Sequence, residues 1–204
     1  TQVIRKSHPL QKVGNVVGLG ERLEVIEYSD LPEELARQHL SDGSLRFWAG
    51  NIAVHVFQRA FLERAAQQIS ESGTGLPFHI AKKKVPFIDQ HGDLIQPPTE
   101  NAYKFERFIF DLLPMAQRAI VVEVDAAEGF AAVKNADGAA SETAATTQAA
   151  IVAQQVRWLK GAGVDVAPGV RVEIHPAVAH DQETVRQKFA NCGPINRDTY
   201  FNEQ

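Results

Sequence analysis

Two polar residues, Glu27 and Asn51, each follow a short apolar run with the composition of a β-strand. Glu27 comes directly after Val25 and Ile26, and Asn51 comes directly after Gly50. In open α/β sheets, polar groups at the ends of strands commonly hold polar ligands. A carboxylate accepts hydrogen bonds from hydroxyl groups, and an amide offers two donors and an acceptor. The pair therefore predicts a site for a neutral ligand rich in hydroxyl and amide groups, such as a sugar.

Composition narrows the classes of protein to which the chain can belong. Its 204 residues can bury one hydrophobic core, and its net charge of -4 argues against a nucleic-acid partner, which would require a basic face. The sequence shows neither a long apolar run nor a basic leader followed by apolar residues, so we expect no membrane partner. The single cysteine, Cys192, cannot form an internal disulfide, which favours a cytoplasmic location.

Strand and helix signals alternate along the chain, which predicts the α/β class. The predicted strands cover residues 13–19, 23–28, 45–49, 78–84, 85–89, 119–124 and 170–174, of which 119–124 has the clearest buried pattern. The predicted helices are a short one from 31 toward 40, one that begins near 51, one over 103–117, one that ends at 161 and one over 183–189. We expect the tail after Ala190 to be frayed.

Seven short segments, taken in order, resemble one known family. They are Lys12–Gly14, Val25–Ser29, Asp42–Leu45, Ala49–Ala53, Ala81–Phe87, Phe105–Asp111 and Val133–Asp137. In this order and spacing they are similar to the C-terminal half of the UDP-N-acetylhexosamine pyrophosphorylases of the eukaryotic type, a branch of the uridylyltransferases. The similarity runs from about Lys12 to Trp158 and resumes at Val172–Pro176.

The resemblance implies a fold and an activity. The fold would be the sugar-binding half of a Rossmann-like, GT-A-like nucleotidyltransferase core, a mixed sheet flanked by helices over residues 1–165, with a short C-terminal extension over 166–204. The complete enzyme of this family converts UTP and N-acetylglucosamine 1-phosphate to UDP-N-acetylglucosamine and pyrophosphate. The family's glycine-rich nucleotide loop is absent from this sequence, so the N-terminal half of the same protein would be the partner and this chain alone would be inactive. Mg²⁺ is the implied cofactor, with its ligands outside this chain.

Three of the implied substrate-binding residues lie in the first, second and fourth of these segments. Gly14 matches a glycine whose backbone lies against the sugar, Glu27 matches the acid that accepts from sugar hydroxyls, and Asn51 matches the asparagine that faces the N-acetyl sugar. The residues alone leave other interpretations open. Gly14 could be a strand or bulge glycine, Glu27 a solvated carboxylate, and Asn51 the N-cap of the following helix.

The remaining implied site residues are two aromatic rings and a lysine. Phe108 and Phe110 match residues that form a wall for the acetyl group. In the predicted helix over 103–117, Phe108 belongs to the apolar stripe and could be core, whereas Phe110 falls off the stripe and is the better ligand wall. Lys134 matches the lysine that contacts the phosphates and is the candidate catalytic residue, since an ammonium can stabilise charge that moves to pyrophosphate. An ordinary surface lysine is its alternative.

Two other functions remain open at the level of sequence. Trp48 stands where the family has asparagine, and a bulky indole there supports a glucose 1-phosphate or broad-range UDP-sugar pyrophosphorylase. The missing nucleotide loop supports a non-catalytic module that binds sugar nucleotides. We also expect self-association of the isolated chain through an unpaired sheet edge. The central expectation is that Glu27, Asn51 and Lys134 converge on one cavity.

Overall fold

The computed structural model describes residues 1–203. The chain forms two compact units, one from Thr1 to Val124 and one from Asp125 onward. Both combine strands and helices, so the predicted α/β class is confirmed. The predicted domain boundary between residues 165 and 166 concerns a longer enzyme and stays a prediction; the compact units of this chain divide instead after Val124.

A five-stranded mixed sheet forms the centre of the first unit, in the order β3-β2-β4-β1-β9. Its strands are β1 Gln2–Arg5, β2 Gly14–Leu19, β3 Arg22–Ile26, β4 Ala49–Asn51 and β9 Val122–Val124. Strand β9 is parallel to β1, and the other neighbours are antiparallel. The strands predicted over 13–19 and 23–28 are confirmed as β2 and β3, which form a hairpin joined at Gly20, whose positive φ of 61° suits glycine.

Two smaller strand pairs complete the strands of this unit. Strands β5 His79–Lys83 and β8 Ala102–Glu106 pair antiparallel, and β6 Phe87–Ile88 pairs with β7 Leu94–Ile95 around a turn at 90–92. The helices are α1 Glu33–Ala36, α2 Arg59–Ser72 and a 3-10 helix over Ile109–Met115. Helix α2 ends at Gly73, which has a left-handed φ of 70°.

The second unit packs two main helices around a short parallel strand pair. Its elements are α3 Ala126–Gly129, α4 Ala144–Gly161, β10 Val172–Ile174, α5 Gln182–Phe189 and β11 Thr199–Phe201. Capping boxes at Thr143 and Asp181 begin α4 and α5 by satisfying the first free N–H groups. The expectation of a frayed tail is wrong, because β11 pairs with β10 and Ile195 is buried in the core.

Two predicted helices are corrected by the structure. No helix begins near Asn51, because residues 49–51 pair with β1 and β2, and α2 begins only at Arg59. The helix over 103–117 is instead strand β8 followed by the 3-10 helix, in which Pro114 lies near the end. The strand predicted over 119–124 is shorter and more exposed than expected; Ile120 is 74% exposed. Within residues 1–203, no helix combines the length and apolar character needed to cross a membrane.

Candidate functional site

The sheet register places Gly14, Glu27 and Asn51 on one face, which we call the front face. Gly14 pairs directly with Asn51. Asn15 pairs with Ile26, so the same register continued by one residue puts Glu27 opposite Gly14. Directly opposed residues share a face, and the three residues therefore lie side by side at one end of β3, β2 and β4.

The side chains of Glu27, Val25 and Asn51 lie close to Gly14. A methyl group at Gly14 would lie 2.8 Å from Glu27 Oε1, 2.9 Å from Val25 Cγ1 and 3.6 Å from Asn51 Cβ. The first two distances are shorter than real carbon contacts, so only glycine leaves the Glu27 carboxylate in place. The structure thus brings together three of the predicted site residues and explains why one of them is glycine.

Asn51 is held by its own local structure. Its side chain is buried, and its Oδ1 accepts a hydrogen bond of 3.0 Å from the Ala53 N–H, in a turn where Ala53 has a φ of 59°. The interpretation of Asn51 as a helix N-cap is wrong, because Gln58 is the N-cap of α2. Since the oxygen of the amide is occupied, the NH₂ group is the part of Asn51 suited to donate to a ligand.

Phe108 and Phe110 form a stacked pair at the start of the 3-10 helix. Their ring centroids lie 4.6 Å apart with an angle of 18° between the planes. Phe110 is buried and Phe108 is partly exposed. The 3-10 helix contacts β3, the strand that leads to Glu27. The preference for Phe110 depended on a helix that does not exist, so both residues stay predictions and Phe108 presents the more accessible ring.

Lys134 belongs to the second unit, in a loop that leads to α4. The backbone N–H groups of Lys134 and Asn135 both donate to the Glu142 carbonyl, at 2.7 and 2.9 Å. Glu142 has a φ of 54° and directly precedes Thr143, the buried N-cap of α4. This loop is therefore tied to the start of α4. The convergence of Lys134 with Glu27 and Asn51 stays a prediction.

A buried polar pair lies on the opposite side of the sheet, which we call the back face, and sequence reasoning did not identify it. Lys6 Nζ donates to Asn15 Oδ1 at 2.8 Å, and Asn15 Nδ2 donates to the Ile26 carbonyl at 3.3 Å. The two residues are 6% and 1% exposed. Burial lowers the pKa of the Lys6 ammonium. Gly50 leaves room for this lysine, because a methyl group there would lie 3.3 Å from Lys6 Cγ.

Trp48 packs into the apolar part of the front face. Its ring lies against the cluster of Val3, Val16 and Ala49, and the Arg5 guanidinium stands 4.6 Å from the ring centroid. The indole therefore has a packing role, and this position gives no support to a different sugar.

The described residues offer little to a metal ion. Residues 1–203 contain no group of three or more His, Cys, Asp or Glu side chains that could hold one. The implied Mg²⁺ stays a prediction, and none of the chemistry below is assigned to it.

Comparison with known proteins identifies the family. No protein-family model matches the chain. It is 36% identical over 162 residues to UDP-N-acetylhexosamine pyrophosphorylase-like protein 1 of Xenopus tropicalis, covering 79% of this chain and 31% of that protein. It is 34% identical over 190 residues to UDP-N-acetylglucosamine pyrophosphorylase of Saccharomyces cerevisiae, covering 92% of this chain and 39% of that protein.

A solved structure agrees with these relatives. The crystal structure of a putative UDP-N-acetylglucosamine pyrophosphorylase from Entamoeba histolytica matches 98% of this chain and 48% of that chain, with a TM-score of 0.79 and 29% identity. The mixed α/β architecture is thus shared with that protein. This chain spans less than half the length of each of these relatives. Over that span, the chain belongs to the family of the UDP-N-acetylhexosamine pyrophosphorylases.

Proposed function

We propose that this chain forms the sugar-binding half of a uridylyltransferase that makes UDP-N-acetylglucosamine and pyrophosphate from UTP and N-acetylglucosamine 1-phosphate. The observation that carries the proposal is the approach of Glu27 and Asn51 to Gly14 on the front face. Supporting it, the yeast relative is named as a pyrophosphorylase of this sugar nucleotide. The alternatives of another sugar or a non-catalytic module have no comparable support.

Each front-face residue has a distinct task in this proposal. The Glu27 carboxylate accepts hydrogen bonds from sugar hydroxyls, and the Asn51 NH₂ group donates to an oxygen of the N-acetyl sugar. Gly14 lets the Glu27 carboxylate keep its position beside β2, because a methyl group at Gly14 would lie 2.8 Å from Glu27 Oε1. The apolar Phe108–Phe110 stack covers the acetyl methyl group, which gains by leaving water.

The reaction we propose is an in-line displacement. An oxygen of the sugar phosphate attacks the α-phosphorus of UTP, a new phosphorus–oxygen bond forms, and the bond to the β-phosphate oxygen breaks to release pyrophosphate. Holding both substrates in line supplies much of the rate enhancement. Lys134 stabilises the negative charge that moves to the departing pyrophosphate. No covalent enzyme intermediate is needed.

Several further expectations belong to the same proposal. The N-terminal half of the same protein supplies the nucleotide site, and Mg²⁺ is expected there, with ligands outside residues 1–203 of this chain. We place the enzyme in the cytoplasm, on the evidence of a single cysteine. Self-association of the isolated chain stays a prediction, which size-exclusion chromatography can test.

The proposal is tested by replacing Asn51 in the complete enzyme. Asn51→Ala should raise KM for N-acetylglucosamine 1-phosphate while leaving KM for UTP unchanged, at a cost of about 1–3 kcal/mol in kcat/KM. Steady-state kinetics with each substrate varied in turn measures the two constants. Asn191→Ala, an exposed position in the second unit, is the matched control and should behave as wild type. An equal loss toward both substrates contradicts the assignment.

A further inference from the structure

His79 and Asp111 form a partly buried pair that the proposed chemistry does not use. His79 Nε2 lies 2.9 and 3.1 Å from the two carboxylate oxygens of Asp111. The side chains are only 25% and 14% exposed. A hydrogen bond to a carboxylate in such surroundings is stronger than one between neutral groups at the surface.

The His79 ring also belongs to the aromatic cluster at the proposed acetyl wall. Its centroid lies 4.9 Å from that of Phe108 and 5.9 Å from that of Phe110. These two phenylalanine rings stack on each other at 4.6 Å. His79 therefore touches both members of the stack and is bonded through its Nε2 edge to Asp111 of the 3-10 helix.

The backbone around His79 shows what this bond holds in place. His79 pairs with Glu106 at the end of β8, and the chain then passes through Arg107 and Phe108 into the 3-10 helix. Phe108 occupies the N-cap position of this helix, and its apolar ring cannot accept a hydrogen bond from the helix N–H groups. His79 thus contacts the chain both before and after Phe108. The bond between His79 and Asp111 therefore ties together the two ends of the short segment that contains Phe108.

We propose that His79 and Asp111 are positioning residues that fix the Phe108–Phe110 stack and so set the preference for an N-acetylated sugar phosphate over one with a free 2-hydroxyl group. This inference rests on the proposed function. An acetyl methyl group gains free energy only against an apolar surface at contact distance. A sugar with a hydroxyl in that place gains nothing from the same surface, so disorder in the stack affects the N-acetylated substrate alone.

Two substitutions of His79 separate its bond from its ring. His79→Phe keeps an aromatic ring against Phe108 and Phe110 but removes the donor to Asp111. His79→Gln loses the ring but carries an amide that can reach the Asp111 carboxylate. In the complete enzyme, kcat/KM is measured for N-acetylglucosamine 1-phosphate and for glucose 1-phosphate at saturating UTP.

We expect His79→Phe to lower kcat/KM for N-acetylglucosamine 1-phosphate about tenfold, through a higher KM for this substrate. The kcat and the KM for UTP should stay within about twofold of wild type, and kcat/KM for glucose 1-phosphate should stay unchanged. The preference between the two sugar phosphates therefore falls about tenfold.

The other two variants should be less affected. His79→Gln should retain part of the preference, and Asp111→Asn, which keeps an acceptor for His79, should retain most of it. His91→Phe, in the exposed turn between β6 and β7, is the control and should behave as wild type.

Two results overturn the inference. If a folded His79→Phe enzyme keeps its preference, the Phe108–Phe110 stack does not need the His79–Asp111 bond. If kcat/KM falls equally for both sugar phosphates, His79 has a general structural role. If His79→Phe fails to fold, Asp111→Leu, which removes the acceptor for His79, decides by the same ratio and should lower the preference about as much. A wild-type enzyme that does not use N-acetylglucosamine 1-phosphate overturns the proposed function, and this inference with it, whereas an unchanged preference in His79→Phe or Asp111→Leu overturns this inference alone.

Discussion

The two faces of the five-stranded sheet are built from the same strands but differ in the surroundings of their polar residues. On the front face, Gly14, Glu27 and Asn51 lie so close together that a methyl group at Gly14 would overlap the Glu27 carboxylate. On the back face, Lys6 and Asn15 are fully enclosed and bonded to each other. We propose that the polar groups of the front face bind a ligand, whereas Lys6 and Asn15 of the back face bond to each other.

The two faces are also joined residue by residue along each strand. Asn15 follows Gly14 in β2, and it binds the carbonyl of Ile26, which precedes Glu27. Gly50 precedes Asn51 and leaves room for the Lys6 stem. Asn15, Ile26 and Gly50 are therefore each next in sequence to a front-face site residue. The buried hydrogen-bond network on the back face therefore helps to hold the proposed ligand face in register.

The largest effect is expected from removing the back-face acceptor. Asn15→Leu has a similar shape but leaves the buried Lys6 ammonium without the Asn15 oxygen. A hydrogen bond to a charged group contributes about 1.5–3 kcal/mol, and we expect a loss of at least that size in the free energy of unfolding. Urea unfolding measures the loss. Asn15→Asp, which keeps an acceptor, is the control and should lose much less.

A double substitution sharpens this test. Lys6→Met together with Asn15→Leu replaces the pair by apolar groups of similar size, and most of the stability should return. A loss below about 1 kcal/mol for Asn15→Leu alone would mean that the network contributes little to holding the sheet.

The back-face pair also marks a limit of what the sequence could predict. A lysine after Val3 and Ile4 looks like an exposed strand-end residue, since lysine is seldom fully buried. Only the pairing of β1, β2 and β4, which are distant in sequence, encloses it. By contrast, the β2–β3 hairpin is local, with two Val- and Ile-rich runs around a glycine turn, and it was predicted closely.

The helix predicted over the aromatic segment 103–117 was wrong for a different physical reason. Tyr103 and Phe105 alternate with Lys104 and Glu106, which suits a strand, yet Phe105 and Phe108 also fit a helical stripe. Pairing of β8 with β5 decides between the two periods, and the sequence window does not contain that partner. Phe108 and Phe110 were predicted as site residues from their order in a family motif, which carries information that periodicity lacks.

The next effect in size is on the front face. Gly14→Ala should force the Glu27 carboxylate and Val25 aside, because the new methyl would lie 2.8 and 2.9 Å from them. We expect a cost of about 1–3 kcal/mol, which should be seen in kcat/KM for the sugar phosphate rather than for UTP. Gly18→Ala in the same strand is a matched control, since a methyl at Gly18 has no described atom within 4 Å. If both variants lose sugar affinity equally, crowding at Gly14 is not the cause.

The smallest effect is expected in the pH dependence of the free energy of unfolding. This dependence reports on the charge of the buried Lys6 ammonium on the back face. Burial holds the pKa of Lys6 in the folded protein below its usual value, while lysine in the unfolded chain titrates near about 10.4. Between these two pKa values the unfolded chain binds more protons, so the contribution of Lys6 to stability rises with pH in that window and is constant below it. The free energy of unfolding of wild type relative to Lys6→Met should therefore increase as the pH rises toward about 10. Urea unfolding at a series of pH values measures this difference, and the same subtraction for the exposed Lys188→Met removes effects common to any lysine replacement. A difference that falls with pH would show instead that the folded protein favours the Lys6 ammonium.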